Sequence, residues 1–171
     1  DWGIVTIISG QHPMNDKKSR YILHWIGQLS KIRPELGNFA ICPYASKANF
    51  SIIDEKLSKI VPKPDFDVVI YVVEGNISSQ FLYDAVDDYN RNYPEYKFIA
   101  DHGKTKTYIQ GIQTSNGLYN LVLCQPRKEL TEARRKLAKT DYYDYWDESY
   151  LEEVLEDDYS VVKNDIEQDL G

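Results

Sequence analysis

The 171-residue sequence predicts an α+β protein with an antiparallel-rich sheet and helices on one face, a ferredoxin-like sandwich. Three observations lead there. An amphipathic helical stripe precedes several short β-branched runs. An Asn-Gly pair sits between two such runs, a strong short-range hairpin signal. The order helix, strand, helix, strand, hairpin strand, helix suits helices gathered on one face of an antiparallel-rich sheet. A three-layer α/β arrangement is the alternative. Apolar residues make up 42% and charged residues 27%, which suits one globular core over residues 14–140.

Taken in order, Ile4 to Ile8 is β-branched and reads as a short strand. Met14 is the only methionine and opens a polar, helix-starting run, so residues 1–13 read as an extension before a natural start. His12 is set aside with them. Asn15 or Asp16 caps a helix in which Ile22, Trp25, Ile26, Leu29 and Ile32 form one stripe. His24 falls on its wet face, and Pro34 and Gly37 end it.

Phe50 to Ile53 reads as a strand, followed by a short helical piece from Asp54 to Ile60. Asp67 to Val73 is a compact β-branched run and reads as a central strand. Gly75 and Asn76 lead into a helix from about Ile77 to Asn92, with Phe81, Leu82, Ala85 and Tyr89 inward. Asp84, Asp87 and Asp88 lack the spacing and glycine of a calcium loop and read as its solvated face. Lys97 to Ala100 is a strand, and Asp101 to Lys104 a loop at its end. Asn116-Gly117 predicts a hairpin between Tyr108–Ile112 and Leu118–Cys124, although 105–113 also suits a helix stopped by that pair. Gln125-Pro126 starts a last helix running to about Lys139. Leu130, Ala133 and Leu137 face inward, and its Arg and Lys residues form a basic surface.

Charge is unevenly placed. Residues 141–171 hold twelve acids and one base, a net of −11, whereas residues 1–140 carry +4. An acidic tail of this kind disfavours nucleic acid as its partner. Its aromatics, Tyr142, Tyr143, Tyr145 and Trp146, are not expected in a free disordered end. Residues 141–156 are therefore expected to form a short helix docked on the body or on a neighbouring subunit, with 157–171 mobile. No run of about 18 apolar residues occurs, so no membrane span is expected. Two cysteines without a secreted spacing pattern point to a reduced, cytoplasmic protein. No Cys-x-x-Cys pair is present, and neither a metal nor another cofactor is expected.

The stretch with the sharpest chemistry is Phe39-Ala40-Ile41-Cys42-Pro43-Tyr44-Ala45. Pro43 suits the first position of a helical turn, which would make Cys42 an N-cap and favour its thiolate. The alternative is that Cys42 is a small buried apolar residue. This stretch resembles the Cys-Pro-aromatic-Ala motif of an uncharacterised family of small bacterial and phage proteins. Tyr96-Lys97-Phe98-Ile99-Ala100-Asp101-His102 is similar to a histidine-containing strand of that family. The resemblance implies no activity, only that Cys42 and His102 belong to one site.

Two functional classes follow. In the first, Cys42 is a nucleophile, His102 its base and Asp101 the group that orients the imidazole. Arg127 and Tyr44 would bind substrate, giving a thiol-dependent hydrolase or transferase. In the second, the protein is a non-catalytic interaction or regulatory protein. Its acidic aromatic tail contacts a basic protein partner or exchanges between subunits of a homo-oligomer.

Overall fold

The computed structural model describes residues 4–7, by their backbone alone, and residues 17–170. The strand at the start spans Ile4–Ile7 (β1); His12, Met14 and the Asn15/Asp16 cap lie outside the described residues. Helix α1 covers Lys17–Leu29 and buries Ile22, Ile26 and Leu29. Ile32, expected to extend that stripe, lies beyond the helix and is 65% exposed. His24 is exposed.

Strands β2 (Asn49–Glu55) and β3 (Val68–Val73) are parallel, with Phe50 opposite Val68 and Glu55 opposite Val73. The helical piece between them is one 3-10 turn, Leu57–Lys59. Helix α2 (Ser79–Asn92) is capped by the Ser78 side chain, which accepts from the Phe81 N–H at 3.1 Å. It leads to β4 (Tyr96–Asp101).

The hairpin lies elsewhere than the Asn-Gly pair suggested. Tyr108–Ile109 (β5) and Ile112–Gln113 (β6) form a separate two-stranded hairpin, turning at Gln110 and Gly111. Both turn residues have positive φ, 49° and 79°, as the primed hairpin turns require. Strand β7 (Leu121–Pro126) instead enters the main sheet between β3 and β4, antiparallel to both. Sheet order is β1-β2-β3-β7-β4, a mixed sheet in which β1 and β2 pair parallel.

Alternation along these strands makes two apolar faces. Phe50, Ile52, Ile70, Val72 and Leu121 pack with Ile22 and Ile26 of α1. Ile53, Val69, Tyr71, Phe98, Val122 and Cys124 pack with Leu82 and Val86 of α2. The class is α+β, but helices on one face of a ferredoxin-like sandwich is not what forms. The β2 and β3 residues are apolar on both sides, so each face must be covered, and α1 and α2 take opposite faces. Phe81, expected inward, is 60% exposed, because Leu82 and Val86 carry the buried side of α2.

The chain after β7 forms a helical unit: α3 (Arg127–Ala138), a 3-10 turn at Tyr142–Tyr145, α4 (Glu148–Leu155) and α5 (Tyr159–Leu170). The buried residues of α3 are Arg134 and Ala138, one position on from the expected Ala133 and Leu137. Tyr142, Tyr143, Leu151, Leu155 and Val162 close a third apolar cluster with Ala138 and Phe39. Within the segment expected to be mobile, α5 lies on α3 with Val162 fully buried.

A fourth cluster joins this unit to the sheet domain, bringing Tyr145, Trp146 and Tyr150 onto Leu29, Leu36, Ile41 and Ile109. Gly37 is needed for that seam. Its φ is +67°, and a Cβ there would meet the Tyr145 ring at 2.6 Å. The Tyr142 hydroxyl donates to the Ile41 carbonyl, and Gln110 Nε2 donates to the Tyr145 carbonyl at 2.8 Å.

The outer edge of β4 is closed by a side chain. Asn90 Oδ1 accepts from the Phe98 N–H at 2.7 Å, and its Nδ2 donates to the Phe98 carbonyl at 3.0 Å. The amide thus takes the place of a neighbouring strand. N90A should cost about 1–3 kcal/mol in the urea unfolding free energy, because both backbone groups lose their partner. An unchanged midpoint would show that water replaces the amide without loss.

Candidate functional site

Cys42 lies in the connection between α1 and β2. Its N–H donates to the Leu29 carbonyl at 2.9 Å, and its own carbonyl accepts from Ala45 at 3.1 Å. The helical turn that follows is a three-residue 3-10 helix, Ala45–Lys47, and its N-cap is Tyr44. Cys42 therefore caps no helix, and no α-helical dipole favours its thiolate. The residue is open to solvent, with Tyr142, Tyr143 and Arg134 as its electrostatic neighbours. Thiol ionisation follows the sulfur's surroundings: burial pushes the Cys42 thiol up to about 11, against a smaller pull from the Arg134 charge. Cys124 faces the α2 side of the core, and burial raises its thiol to about 12. Both cysteines are free.

His102 follows β4 and is 5% exposed. Its Nε2 donates to the Ile77 carbonyl at 2.7 Å, and its Nδ1 accepts from the Lys104 N–H at 3.1 Å. Those two bonds engage both ring nitrogens. The ring ties the loop after β4 to the loop before α2.

Asp101 serves the neighbouring loop. One oxygen accepts from the Asn116 backbone at 3.0 Å and from its side-chain amide at 2.9 Å. Asn116 Oδ1 in turn accepts from the N–H groups of Leu118 and Tyr119. The Asn-Gly pair is thus a buried loop anchor, not a hairpin tip. Burial raises the Asp101 carboxyl to about 6, against the Asn116 hydrogen bonds and the nearby imidazole.

Cys42, His102 and Asp101 do not form one site. Strands β2 and β4 run in the same direction, since β2 is parallel to β3 and both β3 and β4 are antiparallel to β7. Cys42 precedes β2 and His102 follows β4, so they lie at opposite ends of the sheet. The resemblance placed two local motifs together, but strand order separates them.

At the His102 end, Asn76, Ile77, Ser78, Ser79, His102, Lys104 and Thr105 line an open groove of about 470 Å³. It lies beyond the carboxyl ends of β3 and β4, a common place for ligand crevices in sheets with parallel connections. Its Ser78 hydroxyl and its imidazole are already committed to the protein's own backbone. Among the described residues, no group of three or more His, Cys, Asp or Glu side chains is placed to hold a metal ion.

At the other end lies a cluster of ion pairs. Arg127 opens α3 and holds the start of β4, donating to the carbonyls of Pro94 and Tyr96 at 3.0 and 3.3 Å. It also pairs with Asp157 at 3.2 Å. Two turns on, Arg134 pairs with Asp158 at 2.9 Å, with only 10% and 12% of the two side chains exposed. Thr131 donates to the same carboxylate at 2.8 Å. Lys97 of β4 is buried and pairs with Glu156. Burial lowers the Lys97 ammonium pKa, and the Arg127 charge adds to that. Three successive acids, 156–158, are thus each met by a cation of the sheet domain or α3.

Of the residues singled out for substrate binding, Tyr44 is 40% exposed near this end, and Arg127 is committed to backbone and Asp157. Lys97 and Arg134 were missed. A lysine in a short strand and an arginine in a basic helix both read as solvated, and only the tertiary fold buries them.

No protein-family model matches this chain, and no curated protein or solved structure matches it either.

Two measurements check this geometry. Alkylation of Cys42 should accelerate about tenfold per pH unit through pH 8, where about one thiol in a thousand is ionised, with no plateau near 8.5. A plateau near or below 8.5 would show an activated thiolate. Asp101 is raised in the folded state, so its stabilising contribution is complete below 3.8 and is lost as pH rises through about 6. The stability difference between the protein and D101N should therefore change across that window. A pH-independent difference would show that Asp101 titrates normally.

Proposed function

We propose that this is a non-catalytic interaction protein that presents an acidic helical face to a basic protein partner. One observation carries the reading. The acids of the C-terminal segment lie on a folded unit whose aromatic side is buried. Asp141, Asp144, Asp147, Glu148, Glu152 and Glu153 are all exposed on it. Tyr142, Tyr143, Leu151 and Leu155 are buried on its inner side. The segment's one base, Lys163, is already paired with Glu148 at 3.3 Å. A fixed, single-sign surface steers an oppositely charged partner and pays little ordering entropy on binding.

The thiol-dependent hydrolase or transferase has less support. Its nucleophile is held in the thiol form, its base is bound through both nitrogens, and the two are at opposite ends of the sheet. Among the described residues, no helix is long and apolar enough to cross a membrane.

The test compares two triple neutralisations in calorimetric titration with a lysine-rich peptide. D147N/E152Q/E153Q should weaken binding about tenfold, since each partly screened charge contributes modestly. D84N/D87N/D88N, on the exposed face of α2, should leave it unchanged, as should C42A. Equal losses in the two triples would reduce the effect to net charge and remove the acidic face as a specific surface.

A further inference from the structure

Helices α4 and α5 meet at a corner that their own sequence does not require. From Glu148 to Leu170 the chain contains no glycine or proline, so nothing local stops one helix from running through. Yet Glu156 has φ 47° and ψ −112°, a region open to glycine and costly for a residue with a Cβ. The bend is imposed from outside, by Lys97 on Glu156, Arg127 on Asp157 and Arg134 on Asp158. Beyond the bend, α5 seats on α3 through buried Val162 and through Asp165, which Arg135 grips at 2.7 and 3.1 Å.

The geometry points to exchange of α5 between two copies of this chain. Straightening at Glu156 merges α4, the corner and α5 into one helix. That helix carries α5, roughly 18 Å long, off its own α3 and onto the α3 of a second copy. The second copy returns its own α5 to the vacated seat. Most of the seat is rebuilt across the pair, because Asp158, Val162 and Asp165 travel with α5, and Arg134 and Arg135 stay on α3. What is lost is the counter-charge of buried Lys97, the Arg127–Asp157 pair, and the contacts of Glu148 with Tyr159 and Lys163. What is gained is helical backbone at Glu156. A second copy is the fitting occupant because the seat is already shaped and charged for this sequence. The inference is separate from the acidic face, since it needs no basic partner.

The decisive pair of variants is E156G and E156A. Both remove the Lys97 partner, so they differ in backbone preference alone: glycine accepts the corner and alanine favours the straight helix. Sedimentation velocity over about three decades of concentration should show E156G monomeric. E156A should have an association constant about tenfold or more above it. Exchange is then tested by mixing. R135E and D165R each place like charges at the α3–α5 seat of one chain, and only an exchanged pair restores opposite charges at both seats. The mixture should contain a heterodimer, and each variant alone should not dimerise. E156G associating as readily as E156A would overturn the inference. So would a monomeric mixture, or dimers of R135E or D165R alone.

Discussion

Lys97, Arg127 and Arg134 set the geometry of the C-terminal half by holding Glu156, Asp157 and Asp158 in succession. A buried ion pair is not in itself a large source of stability, because desolvation offsets most of the attraction. Breaking one is costly, however, so such pairs fix geometry. Lys97 is buried close to two arginine charges and depends on the acids to balance it. The two halves of the chain are thus mutually dependent. The sheet domain supplies a cationic seat, and the acidic end supplies its counter-charge. Aromatic packing of Tyr142, Trp146 and Tyr150 completes the seam.

The local signals in the sequence were sound where a single element decides its own structure. The stripe through Ile22 and Ile26, the β-branched run ending at Val73 and the helix that follows Gly75 and Asn76 all form as expected. Signals failed where a distant element decides. Asn116-Gly117 has the chemistry of a hairpin tip, but Asp101 draws Asn116 into the protein. The turn falls instead at Gln110-Gly111, where the left-handed region is taken by a residue with no obvious preference for it. Which face each helix covers is also non-local. The double-sided apolar character of β2 and β3 was the one available sign that both faces would be covered.

The candidate site was legible as a list of residues and not as a place. Cys42 and His102 each sit in a loop next to regular structure, as reactive residues often do. Whether two loops meet depends on strand order, and β7 inserting between β3 and β4 is set by pairing far along the chain. The acidic end was legible in charge and in aromatic content. Its inner contacts were not, because Lys97 and Arg134 are residue types that normally stay in water.

The reading of the acidic end as a fixed face depends on its being a folded, latched unit. Hydrogen exchange, read segment by segment on the full chain and on K97M/R127M, tests that most directly. The account predicts slow exchange for α4 and α5 in the unaltered protein. In the variant it predicts faster exchange there, while β3 and β7 keep their protection. Fast, peptide-like exchange of α4 and α5 in the unaltered protein would contradict it, because the acids would then lie on a solvated string and not on a surface.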